Sequence, residues 1–283
     1  MAWQKEPSFE AMTSTRTWLI TGAAAGLGRE WTEAALERGD RVAVGVRGGV
    51  ERLDALREAH GDRLLPLELD VTDRERAFAA VREAADAFGS LDVVINNAGY
   101  GHFGMVEELT EAEVRAQLET NFYGTLWVTQ AALPIMRAQG SGHIIQNTSE
   151  GGIVAFPGIG AYHASKWAVE GLTEALAQEV PRFGIKVTLV EPGPFGTGWL
   201  DAGVQSAPNP DYDGVRADGK QDWDIGDPRA TRDAILRVVD ADEPPRRIFL
   251  GRSSLPNAEA VYAERLATWR AWEPVSVAAT GAV

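Results

Sequence analysis

Short apolar runs alternate with amphipathic stretches along the chain. The runs are TWLIT (17–21), RVAVGV (41–46), LLPLEL (64–69), LDVVIN (91–96), HIIQNT (143–148), KVTLVE (186–191) and RIFLG (247–251). Their nearly continuous valine, isoleucine and leucine predict strands covered on both faces. Between them, the segments 27–38, 50–60, 73–88, 111–137, 161–183 and 228–240 carry apolar residues at helical spacing. Strand and helix in alternation predict βαβ crossovers, hence a doubly wound α/β domain with a parallel sheet between helical layers. The same pattern marks 1–15 as a loose leader, 16–251 as the domain, and 252–283 as an extension with an amphipathic helix at 257–273 and a frayed tail from 278.

The stretch 192–228 breaks the rhythm. It is rich in proline, glycine and aspartate, with Phe195, Trp199, Leu200, Tyr212 and Trp223 set among them. A loop this long after the sixth strand lies on the edge where such sheets bind ligands, and reads as a substrate lid.

Composition narrows the function. The 283 residues carry a formal net charge of −14, with no basic stripe, which argues against nucleic acid as a partner. There is no cysteine, so disulfides, thiolate metal sites and a cysteine nucleophile are excluded. His60, His102, His143 and His163 show no metal-ligand spacing, and no metal site is expected. No segment approaches the length and apolarity of a membrane span, and a cytoplasmic location is expected.

Two motifs carry chemistry. TGAAAGLG (21–28) puts Gly22, Gly26 and Gly28 between the first strand and a helix. Glycine there permits a tight turn and lets backbone approach a pyrophosphate, while the helix N-terminus offers free N–H groups. The end of the second strand selects the dinucleotide. Val46 stands where an acidic residue would hold the ribose of NAD, and Arg47 follows, so NADP(H) is favoured over NAD(H). The second motif is GAYHASKWAVEG (160–171), in which Tyr162 and Lys166 are one helical turn apart. Alone, that spacing is weak evidence of a working pair.

With these motifs the chain resembles the short-chain dehydrogenase/reductase family over roughly residues 15–251. TGAAAGLG, LDVT (69–72), NNAG (96–99), TNFYG (120–124), NTSEGG (147–152), YHASK (162–166) and EPGPFGT (191–197) occur in the family's order and spacing. The resemblance implies a Rossmann-type sheet of seven parallel strands in a three-layer αβα domain. It makes Tyr162 the acid/base, Lys166 its activator, Ser149 the anchor of the substrate oxygen, and Asn121 the holder of a relay water. It places Gly22, Ala24, Gly26, Leu27 and Gly28 in the cofactor loop. Asp70 and Val71 fall at the adenine, Asn97, Ala98 and Gly99 along the cofactor, and Pro192, Gly193 and Thr197 at the nicotinamide. For Asn97 a strand-tying role is an equal alternative.

Tyr100, Phe103, Gly151, Ile153 and Phe156, with Phe195, Trp199 and Leu200 from the lid, are the candidate pocket walls. Such an apolar, aromatic lining suits a hydrophobic ketone or aldehyde and its alcohol. His163 reads as a helix residue beside the tyrosine rather than a second acid. Glu150 departs from the family pattern and is expected to face solvent. Trp127 and Trp167 fit a subunit interface, so a homodimer or homotetramer is expected. The reading is an NADP(H)-dependent carbonyl reductase; a non-catalytic NADP-sensing regulator and a nucleotide-sugar epimerase or dehydratase stand as alternatives.

Overall fold

Strand and helix alternate along the chain much as the hydrophobic pattern predicts. A computed structural model describes residues 15–218 and 224–281. Residues 1–14 of the expected leader, Trp223 of the expected lid and the last two residues of the tail lie outside the described residues.

The main sheet contains β1 (Thr17–Thr21), β2 (Arg41–Val46), β3 (Leu64–Glu68), β4 (Val93–Asn96), β6 (Gly142–Asn147), β7 (Ile185–Pro192) and β9 (Arg247–Leu250). Their order is β3-β2-β1-β4-β6-β7-β9, and every pairing is parallel. A two-stranded ribbon of β5 (His102–Phe103) and β8 (Val204–Gln205) stands apart from it. Because successive side chains of a strand point to opposite faces, Trp18 and Ile20 enter one core while Leu19 enters the other. The first core is closed by α1 (Gly26–Arg38), α2 (Asp54–His60) and α8 (Thr231–Asp240). The second is closed by α3 (Arg74–Phe88), α5 (Gly124–Gln139) and α6 (Gly160–Glu179). The strands read as continuous apolar runs because both faces are dry.

Strand order reverses between β1 and β4, so the loops leaving these strands part and open a crevice. Two helical expectations need correction. The segment expected as one helix at 111–137 is α4 (Glu111–Leu118), a π turn at Glu119–Tyr123, and α5. The widened turn carries Asn121, and such turns recur at functional positions. The C-terminal helix is longer than expected, α9 (Ser254–Ala278), and is not amphipathic. Its Leu255, Leu266, Trp269, Trp272 and Val275 are exposed, and only Ser254 and Ala258 are buried. No helix among the described residues is long and apolar enough to cross a membrane.

His143 on β6 donates from Nε2 to Thr188 Oγ1 on β7 at 2.9 Å, and Thr188 passes its own proton to Pro245 O. Burial pushes this imidazole down to about 3 from its ordinary 6.5. The unfolded chain therefore takes up a proton near 6.5 that the fold refuses, and this group's contribution to stability is lost as pH falls from 6.5 toward 3. In urea unfolding, wild type should lose stability relative to His143→Gln by about 1.4 kcal/mol per pH unit over that window. A pH-independent difference would contradict it.

Candidate active site

The carboxyl ends of β1, β4, β6 and β7 open into one cavity of about 810 Å³. At one end lies the glycine turn. Gly22 and Gly26 adopt φ of +66° and +60°, the left-handed region. A Cβ on Gly22 would sit 2.7 Å from Ala98 Cα, and one on Gly28 would sit 2.3 Å from Asn97 Nδ2. Ala25 precedes helix α1 and supplies no side-chain cap, which leaves the helix N-terminus open to an anion. Gly22, Ala24, Gly26 and Leu27 line the cavity, whereas Gly28 does not and instead makes room for Asn97.

Along the floor the cavity is lined by Arg47, Asp70, Val71, Asn97, Ala98 and Gly99, then by Pro192, Gly193 and Thr197. Asn97 also ties strands, donating from Nδ2 to Thr21 O at 2.9 Å and accepting from Asn147 Nδ2 at 2.8 Å. Arg52, which the sequence reading missed, joins Arg47 at this end. Its only signal was a second guanidinium just past β2, where the Val50–Leu53 turn brings it back toward the crevice. An elongated cradle floored by glycine, with two arginines at one end, fits a dinucleotide. Asn147 Oδ1, buried and without a partner among the described residues, borders the same cavity.

Ser149, Tyr162 and Lys166 meet at the other end. Tyr162 and Lys166 are buried on α6, with the Lys166 Nζ 5.8 Å from the phenol ring centroid. Ser149 lies two residues past the end of β6, and its Oγ accepts from Gly151 N–H at 3.0 Å. Burial pushes the Tyr162 phenol up to about 12, a hydrogen bond with Ser149 pulling the other way. Burial likewise pushes the Lys166 ammonium down to about 8, against the attraction of Glu170. Lys166 donates to Asn147 O at 2.8 Å rather than to the phenol. Desolvation of the phenol outweighs its hydrogen bond with Ser149.

Three expected residues are placed differently. Asn121 is buried and does not line the cavity. Its Oδ1 accepts from Tyr100 N–H at 3.1 Å, and its Nδ2 donates to Ser165 Oγ at 3.0 Å. Its side chain thus joins the Tyr100 loop to α6. Ile153 does not line the cavity either; it packs with Val154 and Ala258 in a small core beneath α9. Glu150, expected to face solvent, is only 2% exposed, and its Oε1 accepts from Asn257 Nδ2 of α9 at 2.8 Å. Arg265 of α9 also donates to Ile153 O at 2.9 Å, so the extension braces the Ser149 loop.

Tyr100, Phe103, Gly151 and Phe156 line the cavity with Phe195, Trp199 and Leu200. Trp199 meets Tyr162 edge-on, ring centroids 4.9 Å apart, and Phe103 at 5.4 Å. Gly101 permits this, since a Cβ there would lie 2.3 Å from the indole. Carboxylates before and in the first turn of α4 hold the expected lid: Glu108 accepts from Asn209 N–H at 2.6 Å and pairs with Arg216 of the short helix α7 (Asp213–Asp218), and Glu113 accepts from Ser206 Oγ at 3.1 Å. His163 is neutral and structural: Phe156 N–H donates to its Nε2 at 2.8 Å, so its Nδ1 donates to Gly151 O at 2.7 Å.

Comparison with known proteins agrees with this arrangement. A family model described as short chain dehydrogenase matches residues 16–206. Oxidoreductase BOA17 of Botryotinia fuckeliana is 37% identical over 271 residues, covering 93% of this chain and 99% of that one. A 3-ketodihydrosphingosine reductase of Bacteroides thetaiotaomicron is 36% identical over 266 residues, covering 88% and 96%. The crystal structure of a short-chain dehydrogenase from Streptomyces avermitilis superposes with a TM-score of 0.86 at 39% identity, covering 93% of this chain and 97% of that one. A family model spanning most of the chain, and a solved member of the same fold along nearly its whole length, leave one assignment: the chain belongs to the short-chain dehydrogenase/reductase family of oxidoreductases.

Proposed function

We propose that the protein is an NADP(H)-dependent oxidoreductase that interconverts a hydrophobic ketone or aldehyde and its alcohol. The observation that carries this reading is one continuous cavity, which joins a glycine turn at a helix N-terminus and two arginines to Ser149 and the buried Tyr162–Lys166 pair under an aromatic lid. The dinucleotide, when bound, supplies or accepts the hydride. Gly22 and Gly26 with the α1 N-terminus hold the pyrophosphate. Arg47 and Arg52 hold a 2′-phosphate, which Val46 does not repel.

In the reducing direction Ser149 Oγ donates a hydrogen bond to the substrate oxygen and fixes its direction. Tyr162 gives the same oxygen its phenolic proton. A phenol held at about 12 keeps that proton at neutral pH until the oxygen becomes basic enough to take it. The phenolate left behind is stabilised by the Lys166 ammonium one helical turn below. Trp199, Phe103 and Leu200 exclude water and favour an apolar carbonyl substrate. The relative named 3-ketodihydrosphingosine reductase supports a ketone as the group reduced. Trp167, exposed on α6, and Trp127, partly buried on α5 with the exposed Tyr123 stacked on it, support association of two or four copies.

A panel of aryl and alkyl ketones and aldehydes with NADPH tests the reading; absence of oxidation across the panel would refute it. Tyr162→Phe should bind NADPH as wild type does and lose turnover by roughly 10²- to 10⁴-fold. Reductive turnover should fall as pH rises through about 8, where Lys166 loses its charge. Arg47→Ala and Arg52→Ala should each weaken NADPH binding about 10- to 100-fold in calorimetry while changing NADH binding little; equal effects on both dinucleotides would remove the NADP(H) assignment.

A further inference from the structure

Helix α6 carries Tyr162, Lys166, Glu170 and Glu174 at successive turns of one face. The first two belong to the site described above, and no step yet uses the carboxylates. Glu170 is 5% exposed, and its Oε2 accepts from Arg247 Nη1 at 2.6 Å. The same nitrogen donates to Oε1 of Glu191 at 2.6 Å, a residue on β7 that is 1% exposed. Arg247 Nε donates to Glu174 at 2.8 Å, nearer the surface. Glu191 Oε2 is buried with no partner among the described residues. Glu170 Oε1 is wedged against the Ser149 loop, where a Cβ on Gly152 would lie 2.8 Å away.

Charge explains the grouping. One guanidinium balances one carboxylate, and two buried carboxylates share this one. With the more exposed Glu174 set aside, the remaining negative charge faces Lys166, one turn before Glu170 on α6, and Lys166, Arg247, Glu170 and Glu191 together carry a formal charge of zero. A lysine buried without a counter-charge gives up its proton, and the Glu170 carboxylate opposes that loss at Lys166. The titratable groups facing Glu170 are Lys166 and Glu174 on its own helix, Glu191 on β7 and Arg247 on β9, with the Thr148 hydroxyl close by. Burial raises both inner carboxylates, Glu191 to about 7. The quartet therefore stays ionised only while each member keeps its opposite.

We infer that Glu170 is a positioning residue for Lys166: anchored by Arg247 beside Glu191, it is the counter-charge that keeps the lysine an ammonium beneath Tyr162. The inference rests on the reading of Tyr162 and Lys166 as the proton-handling pair, but its test needs no turnover. The chain has four lysines, Lys5, Lys166, Lys186 and Lys220. Side-chain NMR of lysine-labelled protein therefore follows the Lys166 titration directly, with Lys166→Met identifying its signal.

In Glu170→Gln the Lys166 midpoint should fall by about one pH unit or more, and Glu170→Asp, which keeps the charge, should recover at least half of that shift. If Glu170→Gln does not fold, Glu170→Met, which fills a similar volume without the charge, serves in its place. A Lys166 midpoint unchanged in whichever of these variants folds overturns the inference. Wild-type turnover in Tyr162→Phe would overturn the functional reading while leaving this titration as it stands, so the two failures are told apart.

Discussion

A chain of hydrogen bonds crosses the carboxyl edge of the sheet and ties the two ends of the cavity together. Thr21 Oγ1 on β1 accepts from the backbone N–H groups of Asn97 and Ala98, each at 3.0 Å. Asn97 donates back to the carbonyls of Thr21 and Gly22 and accepts from Asn147 at the end of β6. Asn147 in turn presents its carbonyl to Lys166 Nζ on α6. The glycine turn and the lysine are therefore fixed relative to one another by short polar contacts among strand ends, not by packing alone. Where strand order reverses, the sheet has no continuous cover, and these contacts satisfy the backbone groups left open there.

The second constraint is desolvation. Tyr162, Lys166, Glu170 and Glu191 are all buried, and burial disfavours the charged form of each. Such a cluster stands only if its charges meet their opposites, which is why one arginine from β9 is shared by carboxylates from α6 and β7. The same dryness gives each remaining charge a long reach, because little solvent lies between it and the phenol.

The C-terminal extension is joined to this centre at one end only. Asn257 and Arg265 hold the Ser149 loop through Glu150 and the Ile153 carbonyl. Arg265 also lies 5.0 Å from the ring centroids of both Trp167 and Tyr262, so α9 packs on α6 through a cation between two aromatic faces. Beyond that point Trp269 and Trp272 are 60% and 63% exposed. The bracing contacts of α9 thus fall in its first half.

Much of this was legible in the chain. Continuous apolar runs located the seven strands of the main sheet, since strands buried on both faces tolerate little else. The loop glycines marked a turn that backbone sterics reserve for them, and a four-residue interval stacked Tyr162 over Lys166, because both are local rules of chain geometry. Other features were decided only by the tertiary fold. The break that reorients Asn121, the buried course of Glu150 toward Asn257, the seclusion of Ile153, and the return of Arg52 to the cavity that Arg47 lines all depend on what packs against them. Arg247 reaches Glu170 and Glu191 across intervals of 77 and 56 residues. Local periodicity states which way a backbone runs; where a polar side chain turns is settled by the partner and the dryness it finds there, and those come from distant parts of the chain.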